Sequence, residues 1–242
     1  MNITKRIVKT AGDLSGKTVF EVGPGPGGLT RAILAGSAKE VVAVERDSRC
    51  VEALDGLASA YPKRLRVIEG DALETNAAEL CDRPRVIIAN LPYNIATPLL
   101  IGWLRDIRSY EGFVLMFQRE VADRLKAKPR SKAYGRLSVI TQWLCDVRTA
   151  FNVPKDAFTP PPKVMSTVVS LTPRSAPVAE ARWEDLERVT AAAFGQRRKM
   201  LRASLKPLGI DPAGCEIEPT ARAEELNVEQ FCTLARALAR DG

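Results

Sequence analysis

Residues 19–30 read VFEVGPGPGGLT, and this stretch decides the fold. An apolar run passes through Glu21 to Val22, glycines follow at 23, 25, 27 and 28, and Leu29 begins a segment of helical periodicity. Glycines let the backbone turn tightly and approach a ligand where a side chain would collide, and the helix N-terminus that follows offers unpaired N–H groups to an anion. Strand, glycine turn and helix in that order make a nucleotide cradle. Gly23, Gly25 and Gly28 also satisfy G-x-G-x-x-G, and Glu45, which ends the next apolar run, stands where a carboxylate grips ribose hydroxyls. Taken alone, the loop admits NAD and also a purely structural turn.

Outward from this cradle, apolar runs recur at TVFEV (18–22), EVVAVE (40–45), LRVIE (65–69), VIIAN (86–90) and FVLMF (113–117). Between them lie helical patterns such as LTRAILAG and CVEALDGLASAY, so the chain alternates strand and helix as a doubly wound α/β sheet does. VRTAFNV (147–153) and VMSTVVSLT (164–172) follow a helix around 136–145 and predict an antiparallel hairpin at the end of the sheet. After residue 173 the pattern changes. TPRSAPVAEA reads as a linker, and WEDLERVTAAAF, RRKMLRASLKPLG and NVEQFCTLARALAR read as amphipathic helices with no strand between them. The expected organisation is a catalytic α/β domain at 1–173 and a helical domain at 174–242, without internal repeats.

The 242 residues are 45% hydrophobic and 27% charged, a globular composition long enough for one large domain and a small one. The five cysteines, at 50, 81, 145, 215 and 232, form no CxxC pair, and there is no histidine, so no metal site is expected. The start, MNITKRIVKTAG, lacks an apolar signal region, and no stretch approaches a membrane span; a cytoplasmic protein is expected. The net charge of +7 is unevenly placed, with 25 Lys and Arg against 18 Asp and Glu in residues 1–173 and 11 of each in residues 174–242. Arg124 to Arg136 (RLKAKPRSKAYGR) carries Arg124, Lys126, Lys128, Arg130, Lys132 and Arg136 with no acid, and reads as a loop around Pro129. QRRKMLRASLK at 196–206 carries Arg197, Arg198, Lys199, Arg202 and Lys206, again without an acid, on an expected helix. Either cluster alone reads as a solvated face. Two together favour a polyanion, because neutralising phosphates releases counterions.

Two further positions narrow the chemistry. Asp71, in the GDA after the third strand, offers a carboxylate at the carboxyl edge of the sheet, suited to an adenine amine. Asn90-Leu91-Pro92-Tyr93 ends the fourth strand, where open α/β sheets place their chemistry, and hydride transfer has no use for it. Alkylation of an adenine amine does. The exocyclic nitrogen is a poor nucleophile while its lone pair is delocalised into the ring. Two acceptors aimed at its hydrogens, the side-chain oxygen of Asn90 and the main-chain carbonyl of Leu91, draw the lone pair out of conjugation. Pro92 stiffens the turn and Tyr93 stacks on the base.

The motifs EVGPGPGGLT, VVAVERD, GDAL, NLPYNIATPLL, FQREVADRL, YGRLSV, DAFTPPPKVMS and FGQRRKMLR, in this order and across essentially the whole chain, resemble the bacterial small-subunit rRNA adenine dimethyltransferases that confer kasugamycin sensitivity. The resemblance implies a class I S-adenosylmethionine-dependent methyltransferase fold with a small C-terminal helical domain. It implies dimethylation of N6 on two adjacent adenines in a hairpin loop near the 3′ end of small-subunit rRNA, late in subunit assembly, with S-adenosylhomocysteine as the product. By motif, Glu21, Gly23, Gly25 and Gly27 lie along the methionine part of the cofactor, Glu45 with Arg46 takes the ribose, and Asp71 with Ala72 takes the adenine. Asn90 borders the cofactor and, with Leu91 to Tyr93, faces the target base. Phe158 closes over the other face of that base. The ten basic residues from Arg124 to Arg136 and from Arg197 to Arg202 hold rRNA backbone, and the helical domain docks on the subunit. A monomer is expected.

Relatives carry, before the first strand, a segment with a QNFL-type motif that packs over the cofactor. Met1-Asn2-Ile3 begins just after it here, and weakened cofactor binding is the expectation. Three other readings share part of the pattern. These are the large-subunit rRNA adenine dimethyltransferase of macrolide resistance, a non-catalytic assembly or RNA-binding factor on the same fold, and a DNA adenine methyltransferase, which lacks a target-recognition insertion here.

Overall fold

The computed structural model describes residues 2–158, 161 and 163–240, the last two by backbone only. Its sheet has seven strands in the order β3-β2-β1-β4-β5-β7-β6, formed by β1 (Thr18–Val22), β2 (Glu40–Glu45), β3 (Leu65–Glu69), β4 (Arg85–Asn90), β5 (Gly112–Gln118), β6 (Cys145–Val153) and β7 (Ser166–Pro173). β3, β2, β1, β4 and β5 run parallel, and β7 pairs antiparallel with β5, Leu115 opposite Val169. The parallel strands are mostly apolar in their middles, as strands covered on both faces are, and every residue of β1 is buried.

The helices are α1 (Ile3–Thr10), α2 (Gly28–Leu34), α3 (Ser48–Ala60), α4 (Ala77–Leu80), α5 (Ala96–Arg105), α6 (Arg119–Leu125), α7 (Arg136–Leu144), α8 (Trp183–Gly195), α9 (Leu201–Ser204) and α10 (Val228–Arg240). One core cluster joins Ile7 of α1, Ile33 of α2 and Leu54 of α3 to Val19, Val41, Ile88 and Met116 of the sheet. Burying a side chain of this size stabilises the fold by about 1.5–3 kcal/mol. Asp47 starts α3 by accepting from the Arg49 N–H at 3.1 Å, which turns the chain at the end of β2.

The chain forms two compact units. One contains the residues up to Ala122 with Arg148–Pro173, and the other contains Asp123–Val147 with the residues from Arg174 onward. The second unit therefore includes a segment, 123–147, that the sequence assigns to the catalytic domain. Packing within the unit explains the difference. Tyr134, fully buried, meets Phe194 edge-on at 5.9 Å, and Trp143 lies 6.1 Å from Trp183 while donating from Nε1 to the Ala179 carbonyl at 2.8 Å.

A second departure concerns residues 196–206, expected as one helix. α8 ends at Gly195, residues 196–199 form a turn, and only Leu201–Ser204 is helical before a 3-10 turn at Lys206–Leu208. Leu201 and Arg202 give their N–H groups to the Ala221 and Pro219 carbonyls, at 2.8 and 3.0 Å, so the turn at 219–221 takes the donors that a continuous helix would use.

Candidate active site

Because β3, β2, β1 and β4 are adjacent and parallel, their carboxyl ends bring Asp71, Glu45, the loop after Glu21 and Asn90 side by side. Strand spacing makes this edge about 14 Å long. The loops after β1 and β4 come close together: a Cβ built on Gly23 would lie 3.7 Å from Pro92 Cδ. Gly27 starts α2 in the left-handed region, φ 84°, which leaves the first N–H groups of the helix uncapped by any side chain.

Glu21 lies beneath this loop, 1% exposed, and neither its Oε2 nor Thr30 Oγ1 has a hydrogen-bond partner among the described residues. Burial pushes its carboxyl up to about 8; the Thr30 hydroxyl opposes that rise and the Glu45 charge adds to it. Glu45 is more engaged than its sequence position implies. Its Oε2 accepts from Gly25 N at 3.0 Å, and its Oε1 from Arg46 N at 2.8 Å and Asp47 N at 2.9 Å. The carboxylate thus ties the glycine loop to the start of α3, and of its roughly four lone-pair sites one stays open. Asp71 accepts from Leu73 N at 2.9 Å, with Arg46 Nη1 3.5 Å from its Oδ2. Ala72 beside it is buried.

Asn90 is exposed at the end of β4, Leu91 is buried, and Pro92 is exposed. Tyr93 is half-buried, its hydroxyl 2.6 Å from Ser166 Oγ, a partner that sequence reasoning does not single out although DAFTPPPKVMS ends on it. Phe158 is half-buried against the core cluster, and no ring pair joins it to Tyr93 among the described residues. Thr159, Pro160 and Pro162 of the same motif lie outside the described residues.

A cofactor with an adenosine end and a cationic amino-acid end fits these groups. The uncapped α2 start, the orphaned buried Glu21 oxygen, the open site on Glu45 and the Asp71 carboxylate supply acceptors and donors along one edge, and Gly25 leaves open space where a side chain would stand.

The ten basic residues of the two clusters all fall in the second unit and all are exposed. Arg197 is committed internally: its Nη2 donates to the Lys132 and Tyr134 carbonyls at 3.1 and 3.2 Å and lies 3.3 Å from Glu224 Oε2. This side chain joins the two clusters to each other. Lys126 pairs with Asp123 at 3.4 Å, and Arg130 lies 3.9 Å from Glu225. No helix among the described residues is long and apolar enough to cross a membrane.

A family model described as ribosomal RNA adenine dimethylase matches residues 1–240. The chain is 60% identical, over all of its length and 85% of the relative's, to the ribosomal RNA small subunit methyltransferase A of Rhodospirillum rubrum. Its fold resembles a dimethyladenosine transferase from Plasmodium falciparum, with TM-score 0.84, 27% identity and coverage of 99% of this chain and 96% of that one. It also resembles the 23S rRNA methyltransferase ErmE, with TM-score 0.71, 26% identity and coverage of 98% and 96%. With a class I methyltransferase sheet carrying a glycine loop and an Asn-Leu-Pro-Tyr turn on one edge, the chain belongs to the ribosomal RNA adenine dimethylase family and is an S-adenosylmethionine-dependent rRNA adenine dimethyltransferase.

Proposed function

We propose that the chain transfers methyl groups to N6 of two adjacent adenines in a hairpin loop near the 3′ end of small-subunit rRNA, within an assembling small ribosomal subunit. The observation that carries this reading is the close approach of Gly23 to Pro92, which supports the Asn90–Tyr93 turn lying beside the glycine loop. S-adenosylmethionine supplies an electrophilic methyl group on a sulfonium centre; the residues of the chain supply position and charge. Glu21 and the loop from Gly23 to Gly27 take the amino-acid end. Glu45 uses its remaining lone pair on the ribose, helped by Arg46, and Asp71 with Ala72 takes the adenine.

Asn90 and the Leu91 carbonyl accept the two hydrogens of the target amine, which localises its lone pair towards the methyl group. Tyr93 and Phe158 form the walls for the extruded base. Stacking of about 1–3 kcal/mol per base offsets the few kcal/mol that extrusion costs. The product amine releases its proton to water, so no histidine is needed. Lys128, Lys132, Arg136, Arg198, Lys199 and Arg202 are exposed side chains of the second unit that would meet rRNA phosphates. Arg124, Lys126 and Arg130 stand beside them, and Arg197 holds the surface together.

The test is incubation with S-adenosylmethionine and small subunits lacking the modification, followed by digestion and mass spectrometry. N6,N6-dimethyladenosine at the adjacent adenines is the expected result. Product confined to naked large-subunit RNA would reassign the substrate, and cofactor binding without any product would favour a non-catalytic assembly factor.

A further inference from the structure

The hydrogen bond between Tyr93 and Ser166 crosses the sheet. Tyr93 follows β4, Ser166 opens β7, and β5 lies between those strands. At 2.6 Å between hydroxyl oxygens the bond is short and well made. Its two ends differ in freedom. Ser166 is 0% exposed, and its backbone is held opposite Gln118 of β5. On either side of it, Met165 O accepts from Arg119 N at 2.9 Å and Thr167 Oγ1 donates to Asn152 Oδ1 at 2.9 Å. Tyr93 sits in a turn, half-buried, with a ring that rotates about its side-chain torsions unless its far end is pinned.

We propose that Ser166 is a positioning residue for methyl transfer: by holding the Tyr93 hydroxyl it fixes the position and long axis of the ring against which the target adenine stacks. The inference rests on the reading of Asn90 to Tyr93 as the base site. A stacking wall works only when its plane is parallel to the base, and the base plane is itself set by the two acceptors on Asn90 and Leu91. The phenol oxygen lies on the long axis of the ring, so a held hydroxyl stops the ring from swinging away about the Cα–Cβ bond and keeps its face where the base is presented. Most buried hydroxyls are hydrogen-bonded, and at Ser166 the Tyr93 phenol is the partner. β7 thereby contributes to a site otherwise built at the ends of the parallel strands.

The test is a double-mutant cycle of Ser166→Ala, Tyr93→Phe and the combined variant, on unmethylated small subunits. It is read together with the fluorescence of an RNA hairpin carrying 2-aminopurine at the target position. Each single substitution is expected to lower kcat about tenfold, with the combined variant no worse than either one, because both remove the same bond. The KM for S-adenosylmethionine stays unchanged, and 2-aminopurine is quenched less on binding. Tyr93→Phe keeps the ring and tests the same bond should Ser166→Ala fold poorly. Ser166→Ala with kcat within twofold of the parent, multiplicative effects in the combined variant, or an equal drop in cofactor affinity would each overturn the proposal. A parent that leaves the adenines unmethylated overturns the site reading, and this inference with it.

Discussion

Gly27 lies so close to Leu54 that a Cβ built on it would sit 2.7 Å from the Leu54 Cδ2 methyl. The α3 side chain therefore defines the underside of the glycine loop after β1. Gly27 also has φ 84°, so Gly27→Ala incurs both a backbone and a packing cost, together about 2–4 kcal/mol. Thermal melting of the free protein should show a drop of several degrees. Gly28→Ala is the control, since nothing lies within 4 Å of its Cβ direction and its φ is ordinary; its stability should change by less than about 1 kcal/mol. Equal effects at the two positions would contradict this account.

Asn90→Ala removes an acceptor for the target amine and leaves the Glu21, Glu45 and Asp71 acceptors in place. Single-turnover methylation should fall about 10²- to 10³-fold, as for removal of one preorganised polar group at a reacting centre. Calorimetric titration with S-adenosylhomocysteine should change little. A parallel fall in binding and transfer would move Asn90 out of the role assigned to it.

Glu21 makes stability depend on pH. Its carboxyl titrates near 4.3 in the unfolded chain and is pushed up to about 8 in the folded one. Between these values the folded protein holds a proton that the unfolded chain lacks, so stability is fully present below about 4.3 and is lost as pH climbs towards about 8. Glu21→Gln removes this dependence. Melting curves from pH 5 to pH 8.5 should show the parent losing ground to the variant as pH rises, and identical slopes would mean that the carboxyl is not buried as described.

Arg198→Gln with Lys199→Gln should flatten the salt dependence of subunit binding, by about 0.7–0.9 in the log–log slope for each rRNA phosphate left without its cation. Arg197→Gln should behave differently. It removes hydrogen bonds to the Lys132 and Tyr134 carbonyls and the ion pair with Glu224, so its melting temperature should fall as well. Binding measured across a potassium chloride series, with melting beside it, separates the two classes; a shared slope change without destabilisation at Arg197 would place that guanidinium on the RNA instead.

The sheet is readable from the sequence because local signals carry it. β1, β2 and β3 begin and end where apolar runs meet Lys17, Gly23, Lys39, Arg46 and Gly70, and each later strand differs by no more than two residues from its apolar run at either end. Asn90 to Tyr93 stands out because an amide, a proline and an aromatic ring are an odd way to end a buried strand. What the sequence hides depends on partners distant along the chain. The turn at 196–199 is helical by composition, and residues 219–221 decide otherwise. Tyr134 and Trp143 look like sheet-domain residues until Phe194 and Trp183 are seen beside them. Glu45 shows its carboxylate but not the three N–H groups that it already serves. Ser166 is one serine among several until the Tyr93 hydroxyl marks it out.

The second unit takes its residues from two stretches of chain, 123–147 and the residues beyond 173. Such a unit cannot be cut away or grafted at a single joint. A fragment ending at 173 would keep Tyr134 and Trp143 while losing Phe194, Trp183 and the Ala179 carbonyl that satisfy them, and a fragment starting at 174 would be left with the complementary hollow. Exchange of this unit between relatives, in the laboratory or in evolution, would have to carry both stretches at once, because the first of them lies inside the run of chain that also forms the sheet.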